Sequence, residues 1–277
     1  MTVGRIGRVE VLAELGRGAG SRVFRVRRAA DALEYALKVV CASGRSGGKY
    51  LEQARRESRV GRVLDHPNLV KVYCLETDGG WFRRPRKARL LIEYAPGTRT
   101  DRLPPIEPGR LVRVFARVAD ALAHMHDRGV VHADLKPENL ILDRGADVKV
   151  IDFGVAWVVG ESKDRVQGTP AYMAPETALH KLVNERTDIF NLGATVYRLL
   201  TGRFTPRLAP GLAPGAASFA RLLRPADDLA PGAPAELCDL IHRCVRYDPA
   251  ERPASAAEVR DALTRLAAAH ESQTIPD

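Results

Sequence analysis

Asp134, Lys136 and Asn139 lie close together in the run His132-Ala133-Asp134-Leu135-Lys136-Pro137-Glu138-Asn139. A carboxylate, an ammonium and a carboxamide at that spacing suit phosphoryl transfer. Asp134 can accept a hydrogen bond from a hydroxyl nucleophile, and Lys136 can offset charge on a moving phosphoryl group. Asn139 can offer an oxygen to a metal. Further on, Asp152-Phe153-Gly154 follows the apolar run Val148 to Ile151 and supplies a second oxygen ligand. Two such ligands, completed by nucleotide phosphates, suit magnesium, which keeps few protein ligands.

A second set of residues has the makings of a phosphate cradle. In Gly16-Arg17-Gly18-Ala19-Gly20-Ser21-Arg22-Val23 the glycines carry no Cβ to hold backbone amides away from a phosphate. The same run also reads as a plain hairpin turn. Its strand-turn-strand setting argues against a dinucleotide fold, which needs a helix after the glycines. Gly44-Arg45-Ser46-Gly47-Gly48-Lys49-Tyr50 mimics a P-loop but has the wrong glycine spacing, and Tyr50 has no aliphatic hydroxyl for magnesium, so it reads as a flexible loop. Lys38 sits inside Tyr35-Ala36-Leu37-Lys38-Val39-Val40. Two readings stand: a lysine on an edge strand facing water, or one aimed into a cleft, paired with Glu57 and reaching a phosphate.

The elements that must position these groups follow from periodicity. Val9 to Leu15 reads as a strand running into the glycine-rich turn, with Ser21 to Arg27 as its hairpin partner. Tyr35 to Val40, Leu69 to Leu75 and Leu90 to Tyr94 read as strands, and Lys49 to Leu64 as a helix stopping before His66-Pro67-Asn68. Trp81 to Lys87 reads as a basic hairpin tip. After Pro96-Gly97 the pattern turns helical. Leu111, Val114, Phe115, Val118, Leu122 and Met125 recur at helical spacing, with Gly129 placed to cap the end. Further helices are expected over Asp188 to Leu200, Ala235 to Val245 and Ser255 to Ala269, with a long loop and at most one short helix between Thr201 and Pro234.

Composition narrows the class. At 277 residues, 45% hydrophobic and 28% charged, the chain is neither disordered, collagen-like nor a disulfide-dense mini-protein. Lys and Arg number 43 against 34 Asp and Glu, a net charge of +9. That excess fits a polyanionic partner or simply a solvated basic surface. Cys41, Cys74, Cys238 and Cys244 show no metal-ligand spacing and read as buried, reduced thiols in a cytoplasmic protein. Neither a signal peptide nor a run of about 18 apolar residues is present. Any sensor or anchor that is needed is therefore expected on another chain, and no nucleic-acid motif stands out.

Taken in order, the motifs resemble a Ser/Thr protein kinase, similar to the eukaryotic-like kinases of bacteria. The resemblance rests on the glycine-rich loop, Ala36-Leu37-Lys38, Glu57, the run around Asp134, Asp152-Phe153-Gly154 and Ala174-Pro175-Glu176. Asp188 in Thr187-Asp188-Ile189-Phe190-Asn191-Leu192-Gly193 and Arg252 in Asp248-Pro249-Ala250-Glu251-Arg252-Pro253 extend it, so that it covers roughly Val9 to Leu266. It implies an α+β, bilobal protein-kinase-like fold: a small β-rich N-lobe over 1–95, a larger helical C-lobe over 96–269 and a short tail over 270–277, all one kinase domain.

The roles it implies are specific. Gly16, Gly18 and Ser21 cover the ATP phosphates. Lys38 binds the α and β phosphates and is held by Glu57. Asp134 accepts the hydroxyl proton, Lys136 steadies the γ-phosphate, and Asn139 and Asp152 hold Mg2+, with Mn2+ as a substitute. Val23, Ala36 and Ile141 flank the adenine, Ile92 stands at the gatekeeper position, and the backbone of Glu93 and Ala95 binds its edge. Thr169 bonds Asp134 and Lys136. Glu138 favours a basic residue near the acceptor, and Arg252 pairs with Glu176. The Arg83 to Lys87 tip is a candidate dock for an acidic partner or lipid.

Two positions depart from the family pattern. Ser21 replaces the third glycine of the loop, which implies altered stiffness rather than lost nucleotide binding. Ala133 stands where many members have the Arg that pairs with a phosphorylated activation loop. Activity independent of that phosphorylation is expected, and Ser162 is the one hydroxyl between Val155 and Gln167. Two alternatives remain: a nucleotide-binding pseudokinase scaffold, although Lys38, Asp134 and Asp152 are all present, and a small-molecule kinase, although such enzymes generally lack the Ala-Pro-Glu motif.

Overall fold

A computed structural model describes residues 6–18, 20–42, 47–78, 86–145, 147–161, 167–207 and 215–273. The chain divides into two compact units, Met1–Pro96 with Ile151–Ala156, and Gly97–Val150 with Trp157–Asp277.

The first unit is built on five antiparallel strands, β1 (Val9–Arg17), β2 (Ser21–Arg28), β3 (Glu34–Cys41), β4 (Val72–Thr77) and β5 (Lys87–Glu93), in the order β1-β2-β3-β5-β4. Alternation along β3 sorts its side chains. Tyr35, Leu37 and Val39 join Val26, Cys74, Leu91 and Ile6 in one apolar cluster. Val40, on the other face, packs with Leu51 and Ala54 of α1 (Gly47–Gly61) and with Ala88. Lys38 shares that second face. Because β3 lies between β2 and β5, Lys38 is not on an edge strand.

Several expectations are corrected here. Gly47 to Tyr50 form the first turn of α1 rather than a loop, and Gly47 is buried so tightly that a Cβ would stand 2.5 Å from the Ala42 carbonyl carbon. The helix ends at Gly61, where a Cβ would meet Val72 Cγ2 at 2.2 Å, so only glycine lets α1 approach β4 this closely. β4 begins three residues later than expected, because Asn68 and Leu69 are taken up in a turn on His66. Cys41 is exposed at the end of β3, while Cys74, Cys238 and Cys244 are buried. Gly44-Arg45-Ser46 of the decoy, Ser162 and the Trp81 to Pro85 part of the basic tip lie outside the described residues.

The second unit is mainly helical. α2 (Pro108–His126) is its axis, with Leu111, Phe115, Leu122 and Met125 fully buried. Glu107 caps it by accepting from Gly109 N and Arg110 N, and Pro108 occupies the first turn, where its missing N–H costs nothing. The helix stops at His126; Gly129, at φ +66°, closes the following turn by donating to the His126 carbonyl. Short strands β6 (Thr98–Arg99), β8 (Leu140–Leu142) and β9 (Val148–Val150) form one small sheet, and β7 (Val130–Val131) with β10 (Trp157–Val158) another. They bracket the Asp134 run.

The remaining helices are α3 (Pro175–His180), α4 (Glu185–Thr201), α5 (Ala216–Leu222), α6 (Ala226–Leu229), α7 (Ala235–Cys244) and α8 (Ala256–Gln273). α4 opens on a capping box between Asn184 and Thr187 and closes on Gly202 in the left-handed region. The stretch expected to be a long loop with at most one helix holds two, α5 and α6. Phe219 anchors α5 between Phe190 and Tyr247, and His242 Nε2 accepts from Ala226 N at the start of α6. No helix is long and apolar enough to cross a membrane among the described residues.

Candidate active site

The strand register gathers the first group. Directly paired residues in antiparallel strands point to the same face. Val23 pairs with Lys38 and Ala36 with Ile92, so Val23, Ala36, Lys38 and Ile92 share one surface. Lys38 Nζ lies 2.7 Å from Glu57 Oε2 on α1 and 3.0 Å from Asp152 Oδ1. Glu57 is 2% exposed, so its carboxylate depends on that ammonium. Burial works to lower the Lys38 ammonium, but the charges of Asp152 and Glu57 outweigh it and raise it, keeping it protonated. Burial pushes the Glu57 carboxyl up, and the Lys38 charge opposes the rise.

The Asp152 segment belongs to the same unit. Asp152 has φ +70°, a conformation that a non-glycine residue adopts only when its surroundings hold it. Arg56 on α1 donates to the Ala156 carbonyl at 2.9 Å, and Phe153 is completely buried. The segment is thereby tied to α1 at its Ala156 end and to β3 at its Asp152 end.

The second group is assembled wholly within the helical unit. Asp134 Oδ1 accepts from Thr169 N at 2.7 Å and Oδ2 from Lys136 Nζ at 2.6 Å, while the same ammonium donates to Thr169 Oγ1 at 2.6 Å. Asn139 Nδ2 donates to the Asp134 carbonyl at 2.8 Å. That bond fixes the amide end of the Asn139 side chain. The loop is shaped by a residue from α4: the buried Asp188 accepts from His132 N at 2.8 Å and Ala133 N at 2.7 Å. His126 Nε2 completes the tether, 2.9 Å from Asp188 Oδ2. These bonds hold Ala133 at φ +63°, strain that the carboxylate offsets by satisfying two buried donors. The motif match singles out Asp188 but not this role, and nothing in the sequence marks His126 as its partner.

A second buried charge fixes the floor of this unit. Arg252 and Glu176 form a two-point ion pair, 2.9 Å at each contact. The other Arg252 donors go to the carbonyls of Arg246, Tyr247 and Arg186, so every N–H of the guanidinium is used. Thr187 Oγ1 adds a bond to Glu176 Oε1. We expect Arg252→Met to destabilise the protein by about 3–5 kcal/mol, because it leaves a buried carboxylate unpaired. Urea unfolding checks this, and adding Glu176→Gln should recover much of the loss.

The expected site residues thus fall into two sets. Gly16, Gly18, Ser21, Val23, Ala36, Lys38, Glu57, Ile92, Glu93, Ala95 and Asp152 lie in the first unit, and Asp134, Lys136, Glu138, Asn139, Ile141 and Thr169 in the second. Ser21 opens β2, and its carbonyl accepts from Gly18 N at 2.8 Å, closing the turn.

Comparison with known proteins identifies the family. Residues 9–263 match the family model described as protein kinase domain. The chain is 32% identical to serine/threonine-protein kinase pkn2 of Myxococcus xanthus, over 95% of this chain and 32% of that protein. It is 32% identical to Aurora kinase C of Mus musculus, over 88% of this chain and 86% of that one. It is 31% identical to serine/threonine-protein kinase PknB of Mycolicibacterium smegmatis, over 98% of this chain and 44% of that protein. The chain spans about a third of the length of the two Myxococcus relatives pkn2 and Pkn1. With its ordered motifs, its Lys38–Glu57 pair and this match over most of its length, the chain belongs to the protein kinase domain family.

Proposed function

We propose that the chain transfers the γ-phosphoryl group of ATP to Ser and Thr hydroxyls of proteins, with Asp134 as the catalytic base. The observation that carries this reading is the Asp134–Lys136–Thr169 triangle. One carboxylate oxygen is fixed by a backbone N–H and the other by an ammonium, which leaves each oxygen a lone pair for a hydroxyl proton. Lys136 is close enough to Asp134 to offset charge at the reacting phosphoryl group. Lys38 is held charged to meet nucleotide phosphates, the backbone of Gly16 to Ser21 covers them, and Val23, Ala36 and Ile92 give an apolar surface for the base, whose edge meets the backbone of Glu93 and Ala95.

The donor chemistry fits a divalent cation. Asn139 commits its amide nitrogen, not its oxygen, to the Asp134 carbonyl, and the Asp152 side chain is 46% exposed. Both are hard oxygen donors of the kind Mg2+ or Mn2+ takes. Bound with ATP, the ion neutralises phosphate charge. Transfer from labelled ATP to a general protein substrate should therefore vanish on chelation and return with added Mg2+; transfer that persists in chelator would contradict the assignment.

Activity is also proposed to be independent of activation-loop phosphorylation, because Ala133 offers no guanidinium to a phosphate. Phosphatase-treated protein and Ser162→Ala should keep normal turnover. A large loss in either would overturn this point.

A further inference from the structure

Between Asp188 and Asp227 the chain carries Arg198, Arg203, Arg207, Arg221 and Arg224 but no Asp or Glu. Five positive charges in one segment account for more than half of the net +9. Several surface arginines elsewhere meet carboxylates, as Arg25 does Glu34, Arg243 does Glu258 and Arg260 does Asp120. Among the described residues none of these five has a carboxylate partner.

The segment is structurally close to Asp134. Phe204, 39% exposed, has the Arg198 guanidinium 4.3 Å from its ring centre and that of Arg207 at 5.8 Å. Its edge meets the ring of Tyr172 at 5.8 Å. Tyr172 N in turn donates to the Thr169 carbonyl, and Thr169 N to Asp134. Stacking on an aromatic face orders a guanidinium and leaves its N–H edge for oxygen acceptors; Arg198 gives one N–H to the Gly202 carbonyl and keeps its others. Acidic groups are nearby as well. Burial raises the Tyr172 hydroxyl, with Glu138 and Asp101 adding to the rise and Arg198 opposing it. Asp101 is already paired with Arg99 at 2.9 Å. The surroundings of Asp134 are therefore polarised, with Glu138 in its own loop and, beyond Tyr172, arginines that have no carboxylate partner among the described residues.

We propose that the Arg198–Phe204–Arg207 patch selects acceptor segments that carry carboxylates on one side of the Ser or Thr. This rests on the phosphotransfer reading for its consequence, since the patch then sets which proteins are modified. Two arginines held on one ring present several N–H donors to side-chain carboxylates.

The test is peptide binding by fluorescence anisotropy with the whole chain. Labelled serine peptides carry glutamates before the serine or after it, and matched controls carry glutamine in their place. At least one glutamate peptide should bind about fivefold or more tightly than its glutamine control. The gap should narrow as salt rises and close in Arg198→Gln/Arg207→Glu. Arg207→Gln, a milder change at an exposed position, should narrow it as well. Equal binding of glutamate and glutamine peptides, or an unchanged gap in both variants, would overturn the proposal. Because the readout is binding, a failure to phosphorylate any peptide would sink the phosphotransfer reading alone.

Discussion

Asp134→Asn is expected to lower phosphoryl transfer by about 10²–10⁴-fold, the range contributed by a positioned base. The substitution keeps the side chain's shape. Its carbonyl oxygen can still accept from Thr169 N, which lies 2.7 Å from Asp134 Oδ1. Its amide would instead face the Lys136 ammonium, which lies 2.6 Å from Asp134 Oδ2. Two donors then oppose each other where an acceptor stood, so the group loses its basicity and Lys136 loses one anchor. Nucleotide affinity should change little, because the Lys38 group is left intact. Steady-state kinetics check the split: kcat falls, while KM for ATP stays near the wild-type value. Normal turnover in the variant would show that Asp134 is not the base.

Lys38→Met is expected to abolish measurable transfer for a different reason. The methionine keeps the aliphatic bulk on β3 but removes the cation that bridges Glu57 and Asp152. Glu57 is then a buried carboxyl facing a second acidic group. The variant should lose about 3 kcal/mol of stability near neutral pH, the low end for breaking a buried pair, since the Lys38 side chain keeps 16% exposure. The sign with pH follows from burial. Glu57's carboxyl is already raised in the folded protein, and losing Lys38 raises it further. A carboxyl raised on folding holds its proton better when folded. Its contribution is therefore favourable at acid pH and is lost as pH rises from the ordinary carboxylate range toward and past the raised value. The variant should gain relative stability on acidification, and Lys38→Met/Glu57→Gln should regain stability without regaining transfer. If the double variant recovers transfer, Lys38 serves only to neutralise Glu57.

The parts of this account visible in the sequence are those set by local rules. Alternation along β3 places Lys38 with Ala36 before any coordinates are known, and the apolar spacing of Leu111 to Met125 describes α2. Compact motifs such as the Asp134 run keep their polar groups together, because the chain has little room to separate them. What the sequence conceals depends on partners far along the chain. Helix α5 forms because Phe219 finds Phe190 and Tyr247, and nothing in its alanine-rich run announces that. Helix α1 starts on Gly47, a poor helix former, because the Ala42 backbone lies against it. The His126–Asp188 tether joins α2 to α4 across residues whose local pattern is simply helical. Cys41 looks like its buried counterparts until β3 is seen to end there.

The central claim, transfer from ATP to protein Ser and Thr hydroxyls with Asp134 as base, is tested most directly by one assay. Purified chain is incubated with γ-labelled ATP, Mg2+ and a lysate of the source organism, and the labelled proteins are hydrolysed for phosphoamino-acid analysis. The account predicts label on phosphoserine and phosphothreonine with the wild type, and almost none with Asp134→Asn. ATP binding without label on any protein, or label undiminished in Asp134→Asn, would contradict it.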